Sequence, residues 1–193
     1  MSSPESAIMR GAQGQMARYL DLPLRAKGFL RDAKILDAQA GFETAMVGLV
    51  TTLSADVIEG LQYEMDVLVD FADLVFVNEC FSALKRIARG FATDEESLNL
   101  ALDALKEVGH GGSFIGSKHT LKNFKDELWR PKLFDRRPWV AWENSGRKGA
   151  ERRAWEKARD ILDGYQPKRL SPDIERKIDQ IAQEATVDLT KSI

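Results

Sequence analysis

The sequence predicts an α/β fold dominated by helices, with two short strands of parallel type set among long amphipathic segments. Three observations predict it. Apolar residues recur at three- and four-residue steps over most of the chain, two short apolar runs each close on a glycine, and the segments around them carry helix starts and stops.

Ser3 followed by Pro4 starts a helix, because a serine hydroxyl caps free amides and proline at the first helical position has no amide to leave unpaired. The helix runs to about Tyr19, with Ile8, Ala12, Met16 and Tyr19 on one face, and Pro23 forbids continuation. Leu22 to Gly28 reads as a first strand. A second helix begins at Asp37, its cap, and carries Phe42, Met46, Leu49, Val50 and Leu53 along a stripe. Ala55 to Gly60 reads as a second strand. A long helix from about Asp66 to Arg89 follows, stopped by Gly90. Thr93 to Glu96 is read as a capping box, with Thr93 at the cap, opening a helix that Gly109 ends. Beyond it lie the His110-Gly111-Gly112 loop, a short helix over Thr120–Trp129, a Trp-rich stretch punctuated by Pro131 and Pro138, a charged helix over Arg147–Tyr165 and a last helix from Ser171-Pro172. Two parallel strands leave edge amides and helix faces unsatisfied, so more of the sheet is expected from elsewhere.

A 44% hydrophobic and 30% charged composition favours a packed globule over disorder. The 28 Lys and Arg nearly cancel the 30 Asp and Glu, so the net charge of -2 gives no global pull toward nucleic acid or an anionic membrane. Cys80 is the only cysteine, which excludes an internal disulfide and a multi-thiolate metal site and suits the cytoplasm. No window approaches the ~18 consecutive apolar residues of a membrane span.

More specific residues appear around the first strand: Ser3-Pro4-Glu5, Gln15-Met16-Ala17-Arg18-Tyr19, Leu22-Pro23, Asp32-Ala33-Lys34 and Asp37-Ala38-Gln39-Ala40-Gly41-Phe42-Glu43. Further on stand Gly109 to Phe114, His119-Thr120-Leu121 and Trp129 to Arg136. In this order and spacing they resemble the trimethylamine methyltransferase family. The resemblance implies a (β/α)8 TIM barrel that moves a methyl group from a methylated amine to the cobalt of a corrinoid protein. Of that barrel this chain would hold the last βα units, residues 1–110, and a C-terminal helical extension packing on them, residues 111–193. The corrinoid would be carried by a partner protein, with no cofactor and no metal bound by this chain. The remaining partners implied are the amine itself and a missing N-terminal barrel segment or an oligomeric partner. Within the resemblance, the short length follows from a broken gene or an amber codon taken as a stop. The family also divides into members that read an amber codon as pyrrolysine and members without it. No such residue is written here, and Gln62-Tyr63-Glu64-Met65 replaces the more glycine-rich run expected of the trimethylamine enzymes. Both departures point to the pyrrolysine-free side.

Barrel sites are built just past the strand ends, and a methylammonium is held by aromatic faces and a carboxylate at longer range. The candidate substrate-binding residues are therefore Phe29, Asp32, Glu59, Tyr63 and Glu64, with Lys27 and Gln62 beside them, and His110 as an anchor for a carboxylate or a corrinoid side chain. Each has a plainer alternative. Phe29 and Tyr63 also read as buried loop aromatics, Asp32 as a turn partner of Lys34, and His110 as part of a helix-ending turn. Glu59 has the best functional case, since a carboxylate ending a buried strand needs a partner. The basic and aromatic run from Arg136 to Trp155 could suit a nucleic acid, but Glu143 and Glu151 interleave it and its tryptophans fit helix packing. A non-catalytic remnant or helical protein-interaction module is the alternative to the enzyme.

Overall fold

The computed structural model describes residues 2–61, 63 and 67–191. Helix α1, Pro4–Tyr19, starts as expected: Ser3 accepts a hydrogen bond from the Ser6 amide and Pro4 takes the first position. Strand β1, Arg25–Lys27, leads to α2, Ala38–Ser54, which Asp37 caps by accepting from the Ala40 amide at 3.0 Å. Strand β2, Val57–Glu59, is followed by α3, Phe71–Arg89, and α4, Glu95–Val108. Then come α5, Lys118–Glu127, α6, Trp139–Asn144, α7, Ala150–Gly164, and α8, Pro172–Lys191. Gly90 and Gly109 end α3 and α4 at φ of 65° and 70°, a conformation a side chain would strain.

Several boundaries differ from expectation. Both strands shrink to three paired residues, because a strand extends only as far as a neighbour accepts its amides. Helix α3 begins at Phe71 under an Asp70 cap, and Asp66, where the helix was expected to begin, lies outside the described residues. Asp94, not Thr93, caps α4: its carboxylate takes both the amide and the hydroxyl of Ser97. The short α6 was not anticipated; Pro138 starts it without a side-chain cap.

The two strands are parallel, pairing Arg25 with Val57, Ala26 with Ile58 and Lys27 with Glu59. Side chains alternate across a sheet, so Ala26 and Ile58 share one face and Arg25, Lys27, Val57 and Glu59 the other. The first face is the helix side: a side chain built at Gly28, two residues beyond Ala26, would meet Ile58 Cγ2 at 2.6 Å and Thr51 of α2 at 3.2 Å. The second face is open, with Val57 exposed and Arg25 ion-paired to Glu59. Helix α2 packs between α1 and α3, and the core gathers Phe29, Tyr63, Phe76, Val77 and Leu84 with Leu133 and Ala154 from beyond α5.

Compact units divide at Met1–Arg159 and Asp160–Ile193, whereas the sequence reading set its boundary at 110. Residues 111–159 belong to the first unit because Leu133 and Ala154 bury themselves in its core. The second unit is the end of α7 with α8, whose Ile174, Ile178 and Ile181 form an exposed stripe. No helix among the described residues is long and apolar enough to cross a membrane.

Backbones approach closely where α1 crosses α2. A Cβ at Gly14 would lie 2.6 Å from Ser54 Cβ and 2.8 Å from its carbonyl oxygen, whereas one at Gly11 meets only Val50 Cγ1 at 3.6 Å. Gly14→Ala is therefore expected to cost about 1–3 kcal/mol by prising the helices apart. Gly11→Ala should be neutral or stabilising through better helix propensity. Urea midpoints of the two variants check the contrast.

Candidate functional site

Because the strands are parallel, the segments leaving β1 and β2 emerge at the same edge of the sheet, and single bridges extend the pairing from Arg31 to Tyr63 and from Tyr63 to Leu68. Arg31 is fully buried there. Its Nη1 lies 2.6 Å from Asp73 Oδ1, its Nη2 bonds Oδ2 of the same carboxylate, and Nη2 also donates to the Leu61 carbonyl at 3.3 Å. Tyr63, 1% exposed, donates its hydroxyl to Asp73 Oδ1 at 2.7 Å, and the guanidinium carbon sits 4.3 Å from its ring centre. Asp73 stands in the first turn of α3, where the helix dipole favours a negative charge. Burial pushes its carboxyl above the ordinary range, while hydrogen bonding and charge from Arg31, and the Tyr63 hydrogen bond, pull it back. Burial, then the hydrogen bond to Asp73, raises the Tyr63 phenol well above its usual value, so it stays a donor. This three-residue lock joins the ends of both strands to the start of α3.

A second carboxylate shapes the turn after β1. Glu43 Oε2 accepts the amides of Asp32 at 2.8 Å and Ala33 at 3.1 Å, and Gln39 binds its other oxygen at 2.7 Å. Below the strand ends, between β2 and α3, lies a cavity of about 560 Å³ lined by Phe29, Ile58, Gly60, Leu61, Val77 and Phe81 among others, with Glu59 and Asn78 its polar members.

The expected site residues fall in different places. Phe29 is buried edge-on against Phe81, with ring centres 5.6 Å apart, and forms one wall of the cavity. Glu59 also lines the cavity, while its carboxylate pairs with Arg25 on the open face of the sheet. Tyr63 belongs to the buried lock. Asp32 accepts the Ser2 amide at 3.1 Å, and Lys34 donates to its main-chain oxygen at 2.6 Å. His110 lies in the exposed turn after α4, among neither the cavity nor the lock residues. Glu64 and Gln62 lie outside the described residues. The cavity thus joins Phe29 and Glu59 and leaves Asp32 and His110 apart.

Sequence reasoning missed Arg31, Asp73 and Glu79. Each is a charge set in an apolar run, at Gly28-Phe29-Leu30-Arg31, Phe71-Ala72-Asp73-Leu74 and Phe76-Val77-Asn78-Glu79, and that mismatch was the available signal. Burial lifts the Cys80 thiol to about 12, so it is no thiolate, and no group of metal-ligating side chains occurs among the described residues. Chemically the arrangement offers an apolar wall, a carboxylate paired with Arg25 and strand ends fastened by the lock. It suits holding and orienting a small cation better than proton transfer.

The model of the trimethylamine methyltransferase family matches residues 1–187. A glycine betaine methyltransferase of Desulfitobacterium hafniense (strain Y51) is 33% identical over 183 residues, covering 92% of this chain and 37% of that protein. A trimethylamine methyltransferase of a second strain of that species is 32% identical, covering 95% of this chain and 37% of its own length. One from Methanosarcina barkeri is also 32% identical, with 96% and 37% covered. The chain spans little more than a third of the length of these relatives.

Proposed function

Since this chain belongs to the trimethylamine methyltransferase family, we propose that it supplies part of a cytoplasmic (β/α)8-barrel enzyme moving a methyl group from a methylated amine to the Co(I) of a corrinoid protein. The observation that carries the reading is the family match from residue 1 to 187, which takes in both strands, the lock and the α3 wall of the cavity.

In the transfer the carbon–nitrogen bond breaks with its electron pair left on nitrogen, and cobalt's electron pair forms the new carbon–cobalt bond. A quaternary amine leaves as a neutral amine and needs no proton, so the protein's contribution is alignment and exclusion of water. Glu59, at the carboxyl end of β2, is a carboxylate that would attract the cationic nitrogen, and Arg25 shares its charge. Phe29 lines the cavity at the end of the strands. Arg31 and Asp73 pair with each other and act by fixing the strand ends.

The chain alone, mixed with a Co(I) corrinoid protein and glycine betaine or trimethylamine, is expected to give no methyl-cobalt absorbance change. Joined to the length its relatives carry outside the match, it should give one, and Glu59→Gln in that enzyme should raise KM several-fold with kcat little changed. Turnover by the chain alone, or an unaltered KM, contradicts the proposal.

A further inference from the structure

Helix α8 gathers apolar side chains on one face and leaves that face uncovered. Ile174, Ile178, Ile181 and Ala185 follow at steps of three and four residues, which stacks them in a single stripe, and all of them are exposed. The far side of the helix is polar, and there Arg176 is paired with Asp173. Lys177 and Glu184 stand together on one flank of the stripe, and Glu175 and Ala182 on the other. Gln180 donates to Glu184 at 2.8 Å, which steadies that carboxylate without neutralising it.

Such a stripe fits a second copy of itself in one direction. Laid antiparallel, with Ile178 of one copy opposite Ile181 of the other, two-fold symmetry repeats the isoleucine layer and sets Ile174 at each end against the small Ala185. The same register brings Lys177 of each copy beside Glu184 of the other, so an opposite-charge contact recurs twice along the seam. A parallel pair stacks isoleucine on isoleucine at one end and leaves a gap between alanines at the other, and it puts Ala182 beside Lys177 where a carboxylate is needed. We propose that α8 is a self-association surface, pairing antiparallel with α8 of a second copy of this chain. The helix complements itself in side-chain size and in charge, and that names the occupant. The seam is short, so the association is weak and depends on concentration.

The inference stands apart from methyl transfer, and so does its test. Sedimentation velocity over a concentration series is expected to show the chain in reversible monomer–dimer exchange. Lys177→Glu and Glu184→Lys each set like charges together twice in the antiparallel pair, and each should weaken dimerisation by about tenfold or more. Mixed with each other, the two single variants should pair again, because each supplies the charge the other lacks, and a chain carrying both changes should dimerise like the original. These side chains are exposed, so the urea midpoint of the monomer should stay in place in every variant. A chain that stays monomeric at every concentration, a dimer that neither charge change weakens, or single variants that fail to pair when mixed would each overturn the proposal.

Discussion

Arg31→Met is expected to lower the stability of the chain by about 3–5 kcal/mol at neutral pH, because it leaves the Asp73 carboxylate buried without its cation. The loss is far larger than for an exposed pair such as Lys106 with Asp103, worth at most ~1 kcal/mol. Its pH dependence has a definite sign. Burial already pushes Asp73 upward, and Arg31 is the main group pulling it back. Without Arg31, the folded variant holds a proton on Asp73 at a pH where the unfolded chain does not. A carboxyl that binds its proton more tightly when folded is stabilised by acid, so the deficit is largest at pH 7 and shrinks as pH falls toward the ordinary carboxylate value of ~4. Urea denaturation at pH 7 and pH 5 measures it, and an equal deficit at both would show that water reaches the carboxylate. Arg31→Met combined with Asp73→Leu should recover most of the loss, since an apolar pair leaves no charge uncompensated.

Glu79→Ala is expected to cost about 3 kcal/mol. From α3, its Oε1 accepts the amides of Lys132 and Leu133 at 2.7 Å each and of Phe134 at 3.2 Å, pinning the loop after Pro131 onto the core. Alanine strands three amides, one of them buried, and each lost charge-assisted bond weighs more than a neutral one. Glu79→Gln keeps an acceptor oxygen and should cost about half as much. Amide exchange at Lys132, Leu133 and Phe134 should speed up in the alanine variant, while the α1–α2 pair exchanges as before. Unchanged protection at those three amides would mean that Leu133 packing alone holds the loop.

Helices were largely legible in the sequence because their signals are local. Ser3-Pro4, Asp37, Gly90 and Gly109 each act within four residues of the backbone they cap or end. Strand lengths were not: Leu22 and Val57 are equally apolar, but only residues facing a neighbour pair, and the sequence does not show where the neighbour stops. Of the cavity lining, Phe29 and Glu59 were named from their position at the strand ends. Arg31 and Asp73 were not, because they meet across 42 positions, and a lone arginine or aspartate in an apolar run does not name its partner. The one-residue error at the α4 cap has the same character, since Thr93 and Asp94 are both good caps and only geometry chooses.

During synthesis, these long spans mean that the first strand emerges well before its fastening. A nascent chain that ends short of Asp73 carries the Arg31 guanidinium with nothing to bind, and one that ends between α3 and Lys132 exposes Glu79 without its three donors. Until the Pro131 loop leaves the ribosome, the Glu79 carboxylate therefore lacks the three main-chain donors that fasten that loop to α3.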